Sequence, residues 1–435
     1  MVKARGAGRV MLLVPVALAL LFSFYALRWY VGGTMAEVAP NVDEGALDVA
    51  NKAAGLAPDD PLAHWTVAGL ERRSLDPALL PEVVREYERA VSLSPNDYRL
   101  WMDLGVAREQ AGDVAGGERA LRRAVELAPS YADPRWFLGN LLLRAGRREE
   151  AFAELRRSAE ANPQVYRPQI FNLAWQVYGQ DARALESAAG QGGAATRAEL
   201  ASYLMGRGLQ DEAVRLWSGL STAEKKEQRA VGESLLSSLA AAKRYRAAFD
   251  IYRDLAPDGP SIQPGQFQNG GFENDLKPAG TTPFGWQIKS TPPQAQVVID
   301  ARGGRGGGRA LRVQLNAPKT LAFDHVSQLL AVAPSTQYRF ECYVRTDDLK
   351  TAGAPLFQVF DAGDGSLLAA TPPLPAGKND WRALAVEFKT TPKTEAVVVR
   401  SGRAPCGSDP NVCPVFGTIW YDDFNLQPGG GGSGP

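Results

Sequence analysis

The chain has 435 residues, 45% of them hydrophobic, which is too long for one compact core and predicts at least two domains. Lysine plus arginine and aspartate plus glutamate each number 48, so the formal net charge at pH 7 is zero. A chain without a strong positive field lacks the general attraction to phosphate that nucleic-acid-binding proteins use. The composition therefore counts against a nucleic-acid partner.

The first 30 residues have the pattern of a membrane-spanning helix. Basic residues occur among the first nine positions, and an apolar run from Val10 to Leu27 follows them. About 18 residues rising 1.5 Å each span ~27 Å, close to the thickness of the hydrocarbon layer. Because basic flanks stay in the cytoplasm, we expect a cytoplasmic tail over residues 1–9, a single-pass anchor in the inner membrane over 10–30, and periplasmic or extracellular domains beyond it.

The alternative to a retained anchor is a cleaved signal peptide. Residues 34–36, Thr-Met-Ala, offer a weak cleavage site of small residues. Between the apolar run and that site lie Arg28, Trp29 and Tyr30, which are typical of the edge of a membrane helix. The sequence favours the retained anchor.

A 34-residue period follows the anchor. Gly105 recurs as Gly139, Gly117 as Ala151, Leu121 as Leu155, and Pro129 as Pro163. This spacing is typical of a repeated pair of helices, in which a small residue lets the helices approach closely and a proline ends the second one. The pattern resembles the tetratricopeptide repeat family.

The pattern continues on both sides of these two copies. Upstream it recurs from Trp65 to Pro95, and residues 46–58 look like a second helix without a first. Downstream only the helical spacing of apolar residues persists, as far as Leu255. We expect an all-α helical-repeat array over residues 41–255, with an unrelated helical bundle as the alternative for its downstream part.

The resemblance implies a concave groove, lined by the first helices, that binds protein partners. The residues that match the groove positions are Arg99, Met102, Glu109, Trp136, Asn140 and Arg144. The paired lysine and asparagine of carboxylate-binding arrays are missing, so we do not expect capture of a peptide C-terminus. The alternative is an array that serves only as a spacer.

An all-β region follows a predicted linker. Residues 256–268 are rich in proline and glycine and have no periodicity, which predicts the linker. Beyond it, seven short runs have the composition of strands: 310–315, 327–332, 337–345, 356–361, 381–388, 395–400 and 417–426. We expect a β-sandwich over residues 269–427. The glycine-rich tail, 428–435, is predicted to be disordered or an expression remnant.

Both ends of this region carry a second resemblance. It opens with Asn-Gly-Gly-Phe-Glu at 269–273 and closes with Trp-Tyr-Asp-Asp-Phe-Asn-Leu at 420–426. These motifs resemble the jelly-roll carbohydrate-binding modules of the family 4/9 and galactose-binding-like group. The resemblance implies a jelly-roll fold, a glycan ligand, and a structural calcium held by Glu273 with Asp422 or Asp423. The alternative is that these carboxylates cap strand ends in solvent.

A sugar site is predicted on one face of the strand at 337–345. Four alternating residues share that face, and two glutamines come from strands expected to lie beside it: Arg339, Glu341, Tyr343, Arg345, Gln328 and Gln358. An aromatic ring among planar hydrogen-bonding groups suits sugar recognition. The alternative is a solvated sheet face. The three tryptophans near strand-opening signals, Trp286, Trp381 and Trp420, are assigned to the core.

The cysteines agree with export. Cys406 and Cys413 flank a short loop and are predicted to form a disulfide in an oxidising compartment. A zinc site would need further ligands, and the chain has only two histidines, neither nearby in sequence. Cys342 alternates with apolar residues and is predicted to be a buried free thiol.

No motif predicts catalysis. The glycine-rich segment 303–309 lacks the Lys-Ser/Thr ending of a phosphate-binding loop and opens a strand. Asp422 and Asp423 are adjacent on a predicted strand, so their side chains point to opposite faces and cannot flank one glycosidic bond. The sequence therefore predicts a non-catalytic scaffold that binds protein partners and a glycan, in envelope polysaccharide assembly or export. The alternative is a protein assembly factor whose sandwich is a structural cap.

Overall fold

The structure, a computed structural model, describes residues 4–41, 44–190, 192–256, 262–276, 278, 280, 282–289, 293–406 and 412–429, with side chains from residue 13 onward. The chain divides into two compact units, Met1–Gly192 and Gly193–Pro435. The predicted tail at 428–435 falls mostly outside the described residues, as does the first part of the predicted linker.

The first unit consists of helices joined by short turns. They are α1 Ala4–Val38, α2 Ala46–Leu56, α3 Pro61–Arg73, α4 Leu80–Leu93, α5 Tyr98–Gln110, α6 Val114–Leu127, α7 Ala132–Arg144, α8 Arg148–Ala161, α9 Pro163–Tyr178 and α10 Ala182–Ala189. Consecutive helices pack as pairs, beginning with α1 and α2. Aspartates cap several of them: the side chains of Asp60, Asp97, Asp113 and Asp181 accept hydrogen bonds from the first-turn backbone.

The 34-residue period places glycine where two paired helices touch. A Cβ atom on Gly105 would lie 2.6 Å from Leu121 Cγ and 3.1 Å from the Gly117 carbonyl oxygen. One on Gly139 would lie 2.7 Å from Leu155 Cγ. The small residue therefore sets the distance between the helices of each pair, as the sequence predicts.

The helix at 46–58, predicted as the second helix of an incomplete repeat, is paired with a first helix, namely the end of α1. The end of α1 packs against α2, because a Cβ on Gly32 would lie 2.7 Å from Ala57 Cβ. Ala36 and Ala39 are fully buried. The Arg28 guanidinium donates to the carbonyl oxygens of Gly55 and Leu56 at the C-terminus of α2.

The second unit begins with five helices and continues as a sandwich of ten strands over its described residues. The helices are α11 Ala194–Gly206, α12 Gln210–Ser218, α13 Thr222–Glu227, α14 Arg229–Ala241 and α15 Tyr245–Leu255. The strands are β1 Trp286–Ile288, β2 Ala295–Asp300, β3 Ala310–Ala317, β4 Val326–Ala331, β5 Gln337–Thr351, β6 Pro355–Asp361, β7 Leu367–Ala370, β8 Gly377–Lys389, β9 Ala396–Arg403 and β10 Val415–Pro428.

The strands form two five-stranded antiparallel sheets with one core between them. The first sheet has the order β1-β4-β9-β6-β7 and the second β2-β3-β10-β5-β8. All seven predicted strands are present, and β1, β2 and β7 are three further strands that the sequence analysis did not contain. The opening motif at 269–273 is a turn rather than a strand, and Phe424 N donates to the Gly270 carbonyl oxygen there.

The last helical hairpin is attached to the sandwich. Lys243 Nζ donates to the Gly363 carbonyl oxygen at 2.6 Å, and Tyr245 Oη donates to that of Ala362 at 3.1 Å. The ring centroids of Phe249 and Phe284 are 5.3 Å apart. Phe267, within the predicted linker, packs against Trp286 at the edge of the aromatic core. The last part of the predicted linker, residues 262–268, therefore packs on the sandwich.

The close helix approach gives a matched pair of variants. Gly139→Ala should lower the free energy of unfolding of the array by about 1–3 kcal/mol, because the new Cβ overlaps Leu155. Gly69→Ala should leave it unchanged or raise it by up to about 1 kcal/mol, because the nearest atom, Tyr87 Oη, is 3.8 Å away and alanine favours helix. Chemical unfolding followed by circular dichroism checks both, and equal effects would contradict the packing account.

Candidate functional site

The outer face of the second sheet carries aromatic and charged side chains in register. On β10, Trp420 lies opposite Arg345 of β5 and Arg312 of β3, while its neighbour Tyr421 points into the core and is 1% exposed. The assignment of Trp381 and Trp420 to the core was therefore wrong, since both are partly exposed and stack on Arg345 at this face. Trp286 is a core residue, as predicted.

Arg345 is held between two indole rings. Its Cζ atom lies 4.3 Å from the ring centre of Trp420 and 5.3 Å from that of Trp381, within the range of cation–π attraction. Trp420 is itself fixed, because its Nε1 donates to Asp300 Oδ2 at 2.9 Å. That hydrogen bond lowers the pKa of Asp300, helped by the nearby Arg312 and Arg345 and opposed by partial burial. The carboxylate is thus kept charged as the acceptor that orients the indole.

A cleft of about 590 Å³ opens beside this stack. Its lining combines one indole with charged and amide groups: Arg345, Thr346, Asp347, Lys378, Asn379, Asp380 and Trp420. The Asn379 amide nitrogen donates to Thr346 Oγ1 at 2.9 Å, which fixes the orientation of the side chain. Asp380 Oδ1 accepts from the Trp381 backbone at 2.8 Å. The cleft therefore presents hydrogen-bonding groups in fixed positions.

The structure brings together four of the six predicted sugar-site residues and separates the other two. Arg339, Glu341, Tyr343 and Arg345 share the outer face of β5 as predicted, and Arg339 pairs with Glu341 at 2.8 Å. Gln328 and Gln358 lie in the other sheet, because the neighbours of β5 are β8 and β10, whereas β4 and β6 flank β9. Gln328 is fully buried and exchanges hydrogen bonds with the Gln268 backbone.

The glycine-rich loop at 303–309 borders the same face, a role that the sequence analysis missed. A Cβ on Gly303 would lie 2.8 Å from Trp420 Cδ1 and 2.5 Å from Asp300 Cγ, so the loop lies directly against the oriented indole. Arg305 places its Cζ 3.6 Å from the ring centre of Tyr343 and covers one face of that ring. The signal in the sequence was the run of glycines directly before a strand, which permits close backbone approach.

Two of the three predicted calcium ligands, Asp422 and Asp423, present a carboxylate oxygen near Gly271, whereas Glu273 approaches it with its Cγ atom and its carboxylate lies against Gly308. A Cβ on Gly271 would lie 3.7 Å from Asp422 Oδ1, 3.9 Å from Asp423 Oδ1 and 4.0 Å from Glu273 Cγ. A strand irregularity after Asp422 and the left-handed backbone of Asp423, with φ of 50°, bring the two aspartates together, although a regular strand would have put them on opposite faces. Burial raises the pKa of Asp422, the charges of Asp423 and Glu273 raise it further, and backbone N–H donors oppose the shift. The charge of Asp422 is therefore only partly compensated.

Other donors already contact these carboxylates. Arg305 N donates to Asp422 at 2.8 Å, Arg309 N donates to Glu273 at 3.1 Å, and the Arg305 guanidinium pairs with Asp423 at 2.9 Å. An all-oxygen donor set is the chemistry that calcium prefers. Within the described residues, however, no group of three or more Asp, Glu, His or Cys side chains is spaced to hold a metal ion. The oxygen ligands are of the type that a hard cation prefers, but the three carboxylates are not spaced to hold one.

The predicted groove residues lie on α5 and α7. Glu109 and Arg144 form a bidentate ion pair between the two helices, with distances of 2.6 and 2.7 Å. Trp136 stacks on Tyr166, with ring centroids 4.8 Å apart, and its carbonyl oxygen accepts from Asn140 at 2.9 Å. Met102 is partly buried and packs against the core of the array, so part of its side chain is not available to a partner.

Arg99 borders two cavities on the array. One, of about 310 Å³, is lined by Pro61, Leu62, Trp65, Asp97, Arg99 and Leu100. The other, of about 560 Å³, is lined by Ser94, Asn96, Asp97, Tyr98, Arg99 and Tyr131. The aromatic residues Trp65, Tyr98 and Tyr131 join Arg99 there, and the repeat pattern alone did not mark them as surface residues.

The disulfide between Cys406 and Cys413 is present, which confirms that prediction. Beside it, the Arg403 guanidinium donates to the carbonyl oxygens of Gly353, Leu321, Cys413 and Pro414. Burial lowers the pKa of Arg403. Cys342 is a buried free thiol, and burial raises its pKa well above the ordinary value, so it is a poor nucleophile.

The helical array is similar to a known protein family. Residues 109–174 match the tetratricopeptide repeat family. The match confirms the resemblance seen in the 34-residue period, and such repeats indicate a protein–protein interaction scaffold. The comparison with curated protein sequences gives no match.

Solved structures with partial likeness fall into two groups. A MamA fragment from Desulfovibrio magneticus RS-1 is 19% identical, with 32% of this chain and 77% of that chain covered and a TM-score of 0.28. A crystal structure of MamA protein is 17% identical, covering 48% and 92%, with a TM-score of 0.29. A CBM4 structure is 15% identical, covering 38% and 99%, with a TM-score of 0.28. Scores this low carry no functional argument.

Proposed function

We propose that the protein is a membrane-anchored, non-catalytic scaffold that holds protein partners on its repeats and a glycan in the cleft beside Trp420. The observation that carries the glycan part is the cleft itself, where one fixed indole borders oriented amide, carboxylate and cationic groups. Sugars offer apolar C–H faces and many hydroxyls, and they need this mixture of groups. Envelope polysaccharide assembly or export is the proposed setting.

The partner part rests on the repeats and on the surface around Arg99. Two cavities meet at this residue, and aromatic side chains border both. Aromatic residues and arginine are the types that contribute most to protein–protein binding. The groove residues that pair with each other, such as Glu109 and Arg144, are proposed to shape this surface rather than to bind directly.

The glycan proposal predicts a loss of binding in one variant. Trp420→Ala should weaken binding of the full-length chain to its polysaccharide by roughly tenfold or more, equivalent to about 1.4 kcal/mol, because the indole wall of the cleft is removed. Binding to a panel of bacterial envelope polysaccharides, measured by calorimetry in detergent, checks this.

Gln358→Ala is the matched control, because Gln358 was predicted for the site but lies in the other sheet. It should bind like the wild type. A folded wild-type chain that binds no member of the panel would contradict the glycan proposal and leave the sandwich as a structural cap.

We also propose that α1 is a retained anchor, with the N-terminus cytoplasmic and the disulfide-bearing domains outside. In the described part of the chain, one helix, α1, is long and apolar enough to cross a membrane. Its far end is part of the array, since Arg28 bonds to the end of α2 and Ala36 is fully buried. Cleavage after residue 36 would remove the helix against which α2 packs.

The anchor proposal predicts an uncleaved chain. Intact mass spectrometry of protein from the membrane fraction should show that the apolar N-terminal segment is present. Gly32→Ala should lower the unfolding temperature of the array, because its Cβ would overlap Ala57, while Gly55→Ala should not, because no atom lies within 4 Å of that position. A mature chain that begins near residue 37 would contradict the proposal.

Calcium is proposed as a stabiliser of the sandwich, with Glu273, Asp422 and Asp423 as its ligands. The support is the oxygen donor set, the approach of Asp422 and Asp423 to each other and the raised pKa of Asp422, since a bound cation would offset the shared negative charge. Binding would require the Glu273 carboxylate to turn toward the two aspartates, because the three groups are not spaced to hold an ion in their present positions. When bound, the ion would supply charge neutralisation and a link between the opening turn and β10.

The calcium proposal predicts a shift in thermal stability. Calcium at 100 times its dissociation constant should stabilise the sandwich by about 2.7 kcal/mol over chelator-treated protein. Asp422→Asn should abolish the shift, and Asp300→Asn, on the same sheet but outside the cluster, should retain it. Scanning calorimetry measures the transitions, and equal midpoints with calcium and with chelator would rule the site out.

A further inference from the structure

The cleft contains a guanidinium group that is held in place but, among the described residues, has no carboxylate within ion-pair distance. Within the described part of the chain, Arg345 makes no hydrogen bond and no ion pair, although the indoles of Trp381 and Trp420 fix it on the sheet. Arg339 on the same strand differs, because it pairs with Glu341 at 2.8 Å and lies 3.7 Å from Glu387. Arg345 is thus positioned for a ligand that the chain itself does not supply.

The acids around Arg345 are already engaged. Asp300 accepts from Trp420 Nε1 and from the Arg302 backbone. Asp380 accepts from the Trp381 backbone, and Asp347 lies 3.9 Å from Lys378 Nζ. None of these carboxylates reaches the Arg345 guanidinium within ion-pair distance. Arg345 is therefore the one guanidinium group lining the cleft, and its N–H groups have no acceptor among the described residues.

We propose that the cleft selects carboxylated sugars, with Arg345 binding the carboxylate of a uronic acid unit. This rests on the proposed glycan function and names its ligand class. Guanidinium groups bind carboxylates through two parallel hydrogen bonds, a geometry that a hydroxyl cannot match. Stacking on two indoles fixes the orientation of the Arg345 guanidinium before binding, so little side-chain conformational entropy is lost when the ligand binds.

The remaining groups of the cleft favour a sugar over an acidic peptide. Asp347 and Asp380 line the cleft with Arg345 and Lys378, so the formal charges balance and no strong positive field attracts acidic chains in general. Asp347 and Asp380 can accept hydrogen bonds from sugar hydroxyls, which a peptide of glutamate or aspartate does not carry. A uronic acid satisfies both kinds of group, because it carries one carboxylate and several hydroxyl donors on one ring.

The test compares charged and neutral forms of one glycan. Oligomers of galacturonate and of mannuronate, their carboxyl-reduced neutral counterparts, and poly-glutamate of similar length are titrated into the full-length chain in detergent. The wild type should bind at least one uronate oligomer tenfold or more tightly than its reduced form. Arg345→Gln should abolish that preference, and Arg345→Lys should retain part of it, because lysine keeps the charge without the fork.

Arg400→Gln is the matched control and should behave like the wild type, because that arginine also stacks on an aromatic ring, 4.4 Å from the ring centre of Phe360, but lies on β9 of the other sheet. Unfolding temperature and near-UV circular dichroism confirm that each variant is folded. Arg345→Lys guards against a purely structural effect, since it leaves a cation between the two indoles.

Three results would overturn the inference. Equal binding of uronate and reduced oligomers would show a neutral-glycan site and leave the proposed glycan function standing. Binding of poly-glutamate as tight as that of the uronates, and lost in Arg345→Gln, would assign the cleft to acidic polypeptides. Absence of binding to every glycan by folded wild-type protein would remove both the ligand class and the glycan function.

Discussion

The register of β10 between β3 and β5 is the constraint on which the sandwich site depends. It places Ile419 and Tyr421 in the core and turns Trp420 outward, opposite Arg345 and Arg312. A slip of one residue would exchange these faces, putting the indole in the core and the phenol in solvent. Burial of Tyr421 against Phe357, with ring centroids 5.1 Å apart, therefore also fixes the outward position of Trp420. The alternation of successive β10 side chains between the two faces of the sheet therefore specifies both the core packing and the candidate site.

Local patterns predicted the elements, but the relations between distant elements could not be predicted in the same way. The 34-residue period and the seven predicted strands depend on residues close in sequence, and the structure contains all of them. Strand order depends on which edges pair in three dimensions, so Gln328 and Gln358 were expected beside β5 although β4 and β6 belong to the other sheet. Trp420 was assigned to the core because it lies near a strand-opening signal, although its position between the apolar Ile419 and Tyr421 already indicated the outer face.

The first helix shows why an apolar run can conceal a second role. Lipid and helix packing both select apolar residues, so hydropathy does not show where the proposed anchor would end and the part of α1 that packs in the array begins. The spacing of Gly32, Ala36 and Ala39 was the available signal, because small residues recur where helices approach closely. Arg28 marks the same boundary, since its guanidinium bonds to the end of α2 rather than to solvent alone. The end of the proposed anchor thus packs as the first helix of the array.

The glycine-rich loop contacts both the outer face of the second sheet and the carboxylates of the proposed calcium site. Gly303 lies against Trp420, and the loop's Arg305 covers Tyr343 and pairs with Asp423. Its Arg309 backbone donates to Glu273. A cation at the carboxylates and a glycan on the outer face would therefore act on one loop from its two sides. Thermodynamic linkage then requires reciprocity: if a cation that orders this loop tightens glycan binding by some factor, the glycan must tighten cation binding by the same factor. Glycine at position 303 is what lets the loop lie against the indole, because a Cβ there would overlap both Trp420 and Asp300.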